Sequence, residues 1–506
     1  MKIEIGQMKF YLMSGANDQF LLKYCKDLLI YLVLYYKNES DVIKMMTKQD
    51  ARRILETALA TGGDFAEVFM ETTISNVLEI TSREVTKALT QVISGVSVRI
   101  IKDFKEVFGY TNDKSIASIE KLAAELASSF DGSKTTDVAP FKETLYENRH
   151  PVKVEPSTEK NENKVNILMK MNEGALEYSK EIVQSVAILT DKTQDILVFA
   201  SDGTWATDRR VNTRALINVV ASDGKVMQTA SDNYGFNQGM EMFDNFDSYK
   251  FGEETAKVAV TMLHADEMVG QELPVIIHNA FGGVILHEAC GHSLEATSVA
   301  KGLSVFTGKI GEKIASDIVT AVDDGTIDNA WGSLNVDDEG TPTQRNVLIE
   351  NGILKSYMVD KRNGKKMNAA ITGSARRQSY KFSPTSRMTN TFFINGNATF
   401  EEIIKNTEYG FFAKKMGGGS VNPSTGEFNF AVNEGYMVEN GKITKPVRGA
   451  TLVGSGKDVL KRIDMIADNL SFGHGMCGSV SGSLPVNVGQ PTIRVSMMTV
   501  GGKGGK

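Results

Sequence analysis

PVIIHNAFGGVILHEACGHSLEA, residues 274–296, is the stretch from which this chain is best read. Its first part, PVIIHNA, is an apolar run with a β-branched centre and reads as a buried strand. A pair of glycines follows, and FGGVILHEACGHSLEA reads as the next helix. That helix carries His287, Glu288 and His292 against an otherwise apolar background.

Upstream, residues 252–268 read as a helix. Before them runs a strand meander punctuated by Asp202-Gly203 and Asp223-Gly224, both good hairpin turns. An amphipathic helix is expected around 157–182, entered through a linker over 132–165 that is rich in Lys, Glu, Thr, Asn and Pro. The N-terminal part opens with a capped helix, Thr47 followed by QDARRILETALATGG, in which Ala51, Ile54, Leu55 and Ala58 recur at helical spacing. AEVFMETTISNVLEITSREV and GVSVRIIKDFKEVFGYTND then alternate as strands, and KSIASIEKLAAELASSF returns to a helix. This α-β-β-α block closes near Asp131-Gly132. Downstream of about residue 320 strands dominate, with hairpins at IENGIL and VENGKI and glycine-rich loops at 417–419 and 473–482. No internal repeat is visible.

The fold class is therefore α+β, with a smaller N-terminal α-β-β-α domain and a larger, strand-rich C-terminal domain. The boundaries expected are an N-terminal extension over 1–45, the start of the N-terminal domain over 46–131, and linker, helix and meander over 132–250. The C-terminal domain follows over 251–500, with a flexible tail at 501–506. A chain of 506 residues exceeds one ordinary core, which agrees with this division. The segment FLLKYCKDLLIYLVLYY (20–36) is apolar but interrupted by Lys23, Lys26 and Asp27. Its clean run from Leu28 to Tyr36 is about half of what a membrane span needs, and no small-residue cleavage site follows. We read it as an added helix or a non-native start, with Met45 or Met46 as the true first residue.

Net charge is −6 without a long Lys/Arg run, which gives no reason for direct nucleic-acid contact. Three cysteines, Cys25, Cys290 and Cys477, make no disulfide framework and fit a reducing cytosol.

His287 and His292 stand one residue further apart than in the H-E-x-x-H zinc signature. Residues four apart on an α-helix share a face, whereas five apart differ by roughly 140° and point away from one another. A π-bulge absorbs one extra residue, and Gly291 is the residue that would permit it. The C-terminal domain is thus expected to carry a distorted metal-binding helix. Zinc in a hydrolase takes three protein ligands and leaves one position open. SFGHGMCGSVSGS (471–483) offers His474 and Cys477 between glycines, and Cys290 is a rival inside the helix. Cys477 equally suits a nucleophile. His150, His264 and His278 read as ordinary packed or surface histidines.

Further motifs narrow these choices. DDEGTPTQRNVLIENGILKSYM (337–358), SRMTNTFF (386–393), FNFAVNEGYMVENGKITKPVRGATLVGSG (428–456) and GMCG…LPVNVGQPTIRV (475–495) accompany HEACGH. With them the chain resembles the TldD/PmbA family over about residues 47–500. The metal ligands, absent from the PmbA branch, place the resemblance with the metal-bearing TldD branch.

The resemblance implies that His287, His292 and Cys477 hold zinc (Zn2+) and that Glu288 is the catalytic base. It implies a cytoplasmic metalloprotease of the HExxxH type that cleaves unfolded peptides or disordered segments by metal-activated water. It also implies a homodimer, or a heterodimer with a PmbA-type subunit. The family usually continues after M-C-G with Lys and Gln, whereas this chain has SVSGS at 479–483. Arg376, Arg377 and Arg387 cluster nearby in sequence and are read as substrate-carboxylate or subunit contacts. Two other readings stay open. One is a zinc amidase on a non-peptide substrate, and the other a peptide-binding or regulatory protein with a structural metal closed by a fourth ligand such as His474.

Overall fold

Thr47 begins helix α1 (Lys48–Leu59) as the sequence leads one to expect. Its hydroxyl accepts a hydrogen bond from the Asp50 amide at 3.1 Å, and Ala51, Ile54, Leu55 and Ala58 are wholly buried. The computed structural model describes residues 46–422 and 425–503, together with the backbone of a short antiparallel hairpin pairing 2–5 with 8–11. The rest of the expected N-terminal extension, including the apolar run at 20–36, lies outside the described residues, as do 504–506 of the expected tail. Among the described residues no helix is long and apolar enough to cross a membrane.

After α1 come β1 (Phe65–Thr81), β2 (Glu84–Lys102), β3 (Lys105–Thr111) and α2 (Ile116–Ala127). The block thus has a third strand. GVSVRIIKDFKEVFGYTND folds back on itself at Asp103 and Phe104, whose φ values of 49° and 65° are those of a type I′ turn. Neither residue is the Asn or Gly that usually marks such a turn, so the hairpin was hidden in the sequence. The helix expected around 157–182 is α3 (Asn161–Tyr178), and that expected over 252–268 is α4 (Ser248–Leu263), capped by Asp247. The meander is β4 (Ile182–Ala200), β5 (Thr204–Ser222) and β6 (Met227–Phe236), turning at the two Asp-Gly pairs.

These strands form one sheet. β1 pairs with β4 from Glu67↔Ala200 to Thr81↔Val186, which gives the order β3-β2-β1-β4-β5, with β6 and residues 142–143 on the outer edge of β5. Period-two alternation divides the sheet's faces. Val68, Met70 and Phe199 pack under α1 and α2, while Ile80, Ala187 and Ile217 pack under α3 and α4. The opposite face carries Phe69, Ile196 and Val198, which meet Val336 and Tyr380 of the C-terminal region.

The C-terminal region is a pair of sheets around one core. In the eight-stranded sheet β7 (Gln271–Ile277) is central, parallel to β8 (Tyr409–Val421) and antiparallel to the chain's last strand, Ile493–Gly501. β9 (Glu427–Glu439) pairs with β8. The six-stranded sheet ends in the hairpin β10 (Ser471–Ser479) and β11 (Gly482–Gln490), and β11 lies parallel to Asn390–Phe393. IENGIL and VENGKI turn as expected at Asn351-Gly352 and Asn440-Gly441, all four with positive φ. The glycine-rich stretches at 417–419 and 473–482 are not loops but lie mostly in β8, β10 and the start of β11. Two of their glycines answer to close packing: a side chain on Gly419 would strike Phe430, and one on Gly473 would strike Phe281.

Helix α5 (Val284–Ala289) leaves β7 and runs into the core between the two sheets. Glycines seat it at both ends. A methyl on Gly283 would lie 2.5 Å from the Gly489 amide nitrogen on β11, and one on Gly456 would overlap the Ala289 carbonyl. Both obstacles are backbone, which cannot swing aside. Gly283→Ala should therefore lower unfolding free energy by about 1–3 kcal/mol, measured by denaturant titration. Unchanged stability would mean that α5 is not seated on the hairpin.

Candidate metal centre

The helix expected across 281–296 is broken. Phe281–Gly283 is a 3₁₀ turn, α5 ends at Ala289, and Gly291–Leu294 is a second 3₁₀ turn. Cys290, with φ −131° and ψ −49°, makes the break, so no π-widening occurs and the kink lies one residue before Gly291. The chain is nonetheless well bonded: the Cys290 amide donates to the Leu286 carbonyl at 3.0 Å and the Leu294 amide to the Cys290 carbonyl at 3.1 Å. Gly291 has a different duty from the one expected, since a side chain there would collide with the sulfur of Met388.

The break turns the two imidazoles toward each other, with ring centroids 4.9 Å apart and planes at 84°. Cys477 on β10 meets them. Its Sγ lies 3.3 Å from His287 Nε2 and 3.3 Å from His292 Nε2, and one ligand atom from each of the three residues falls within 4.8 Å of the others. Around a tetrahedral zinc with bonds of about 2.3 Å to sulfur and 2.0–2.1 Å to nitrogen, a sulfur–nitrogen separation of about 3.5 Å is required. The donor set and its spacing fit zinc. Burial, with His292 and Arg387 nearby, holds His287 well below its ordinary pKa, in the neutral form a ligand needs. Burial would also lower His292, but Glu295 and Cys477 outweigh it and raise His292 well above the usual value. The surroundings favour positive charge at this spot, and a divalent cation meets the same demand.

Glu288 stands beside the ligands, its Oε2 3.8 Å from His292 Nε2. Burial raises its carboxyl above the usual carboxylate range, with the His292 charge opposing and the Glu295 charge assisting. All four residues line a cavity of about 570 Å3 with Gly418, Gly419 and the 475–479 segment.

The rival ligands go elsewhere. Cys290 is fully buried in the core, where burial pushes its thiol up to about 12. His474 is three residues from Cys477 on one strand and so faces the other side, against the rings of Phe236 and Tyr234. No fourth protein ligand joins the three among the described residues.

The arginine expectation needs correcting. Arg376, Arg377 and Arg387 are 3%, 2% and 1% exposed and bond to the protein itself, so they do not present their charges to a substrate or subunit. Arg376 donates to the carbonyls of Met388 and Pro485, and Arg377 to Glu67, Ser97 and the Asp338 carbonyl. Arg387 donates to the Cys477 carbonyl at 2.6 Å, to Ser481 Oγ at 3.0 Å and to the Gly482 carbonyl at 3.1 Å. The departure SVSGS therefore forms the hairpin turn, with buried Ser481 anchored on Arg387 and Val480 exposed.

One residue escaped the sequence reading. Glu295 Oε1 lies 3.3 Å from His292 Nδ1 and 3.7 Å from Arg387 Nε. A carboxylate this close to the far nitrogen favours the tautomer that carries the proton on Nδ1 and leaves Nε2 free to bind a metal. A glutamate three residues beyond a ligand histidine is a visible signal, but nothing in the sequence ties it to Arg387.

Sequence models of three PmbA/TldA metallopeptidase domains match the chain: domain 1 at 66–129, the central domain at 155–263 and the C-terminal domain at 270–502. The chain is 35% identical over 468 residues to a metalloprotease TldD homolog of Buchnera aphidicola subsp. Schizaphis graminum, covering 90% of this chain and 96% of that one. It is 28% identical to a zinc metalloprotease TldD homolog of Saccharolobus solfataricus, with 89% and 99% covered. The crystal structure of TldE from Thermococcus kodakarensis shares the fold at a TM-score of 0.72 and 18% identity, with 90% and 99% covered.

If Glu295 orients His292, Glu295→Gln should weaken zinc affinity by about 10–100-fold in a chelator competition, with folding intact by circular dichroism. Unaltered affinity would remove Glu295 from the centre.

Proposed function

The chain belongs to the TldD/PmbA family of metallopeptidases, and from that premise we propose that it is a zinc-dependent peptidase of the HExxxH type acting on unfolded peptides or disordered segments. The observation that carries this reading is the convergence of Cys477 Sγ and both imidazoles at 3.3 Å, with Glu288 beside them and no fourth ligand among the described residues. The missing fourth ligand favours an open, catalytic position over a closed structural metal.

Zinc held by these three residues supplies a Lewis acid that polarises a peptide carbonyl and acidifies water. The chain's own residues do the rest. Glu288, with its carboxyl raised by burial, accepts the proton of the attacking water and delivers it to the leaving amine as the carbon–nitrogen bond breaks. Glu295 keeps His292 in the tautomer that presents Nε2, and Arg387 keeps the Cys477 turn against the helix end.

The cavity supports an extended substrate. Two glycine-bearing strand segments, 418–421 and 475–479, line it, and Gly418 and Gly478 have open space where a side chain would stand. Main-chain pairing to such segments accepts many side chains, so sequence specificity is loose. The reading includes a cytosolic setting, which suits the unpaired Cys290 and Cys477, and a second subunit, either another copy or a PmbA-type partner.

Glu288→Ala should still bind about one zinc per chain while peptidase activity on a disordered substrate falls by about 10²–10⁴-fold. Full activity in that variant would remove Glu288 from the reaction. With the unaltered protein, a disordered substrate should be cut far faster than a folded protein of the same sequence, and equal rates would contradict a confined cleft.

A further inference from the structure

A second cavity lies between the N-terminal sheet and the C-terminal strands. It measures about 20 Å3, roughly the room of one water-sized body. Four cationic side chains line it, Lys192, Arg210, Arg376 and Arg377, against one carboxylate, Asp338. Asp338 is already engaged, accepting from Arg210 Nη1 at 2.7 Å and from the Arg377 amide at 2.6 Å. Arg210 also pairs with Asp208, and Arg377 with Glu67.

Lys192 and Arg376 are different. Neither has a carboxylate within 4.0 Å among the described residues, and the Lys192 side chain makes no hydrogen bond among them. Arg376 has only the two carbonyls already named. Glu71 stands behind Lys192 as a weak counter-charge. Its Oε2 accepts from Gln194 at 2.7 Å, and burial pushes its carboxyl up toward the neutral form. Burial likewise presses Lys192 down and Arg376 down to about 10. Two unpaired cations around one small cavity are costly unless something negative stands between them.

We infer that this cavity binds a small monovalent inorganic anion of chloride size, held between Lys192 and Arg376. Gln194, Asn212 and Ser333 line the same space and supply neutral donors. Its size excludes a peptide carboxylate or a phosphate ester. The bound anion joins two parts of the molecule, because Lys192 is on β4 while Arg376 holds the Pro485 carbonyl of β11.

Bromide is the probe, since it resembles chloride and scatters anomalously. Crystals grown in bromide should show an anomalous peak between Lys192 Nζ and the Arg376 guanidinium. A peak there supports the site, whereas surface peaks alone, an adventitious ion only, or an ordered water in the cavity would overturn it. In solution the full chain should melt about 1–3 °C higher in sodium bromide than in sodium gluconate at equal ionic strength, gluconate being too large to enter. Lys192→Met should abolish that difference and melt in gluconate no lower than the unaltered protein, because it removes a charge that has no carboxylate partner. An equal bromide effect in the variant would sink the proposal. Should Lys192→Met fail to fold, the anomalous peak in the unaltered protein decides.

Discussion

The centre depends on one buried guanidinium. His287 and His292 come from a broken helix, and Cys477 from a hairpin 185 residues further along the chain than His292. Their donor atoms must meet to within tenths of an ångström, and Arg387 is the group that touches both pieces. Its nitrogens hold the Cys477 carbonyl, Ser481 and the Gly482 carbonyl on the turn, and approach Glu295 at the helix end. A guanidinium's fixed fork suits this task, because several acceptors are set at once by one planar group. At 1% exposure its charge is removed from water, so these acceptors are what make its burial tolerable. Lysine could carry the charge but not the geometry.

The same logic governs how the N-terminal sheet is mounted. Its inner face carries Glu67, Arg99 and Arg210, and the C-terminal region answers with Asp338, Glu339 and Arg377. Arg99 bridges Glu67 at 2.8 Å and Glu339 at 2.6 Å, and Arg210 meets Asp338 at 2.7 Å. Ion pairs this deep add little net stability, since desolvation offsets most of the attraction. Their effect is orientation. An apolar interface such as that of Phe69, Ile196 and Val336 tolerates sliding, whereas a displaced charge pair leaves two unsatisfied buried ions. The sheet is thereby held in one register against the region that carries His287, His292 and Cys477.

Features with local causes were legible in the sequence. The Thr47 cap, the Asp-Gly and Asn-Gly turns and the strand-then-helix reading of 274–296 rest on residues within a few positions of one another. The convergence on Cys477 was legible only through the resemblance, because residue spacing alone left Cys290 and His474 open. Features with distant causes were not legible. The β2–β3 turn at Asp103-Phe104 has an aspartate that suits positive φ but a phenylalanine that does not, so sheet pairing imposes the second position. Gly419 of β8 and Gly473 of β10 look like loop residues until Phe430 and Phe281 arrive from elsewhere to fill their missing side chains. The three arginines read as substrate or subunit contacts because their partners within the chain cannot be seen from the local sequence, as with Arg377 and Glu67.

The helix break shows how a local cost is absorbed by tertiary contacts. A five-residue histidine spacing is wrong for a continuous helix, and a π-bulge would have mended it by widening one turn. The chain instead ends the helix at Ala289 and resumes in a tighter 3₁₀ turn, so the second ring is re-aimed by the φ of Cys290 rather than by an added residue. That solution needs an outside support, which Met388 provides by placing its sulfur where a side chain on Gly291 would be. The Met388 carbonyl is in turn held by Arg376 at 2.6 Å. A continuous line of contacts therefore runs from the cationic cavity through Met388 to the break between the two histidines. Such a line transmits regulation only if some element along it has two stable arrangements. Each group here is buried and closely packed on its neighbour, so the contacts act as a brace that sets where the two imidazoles point.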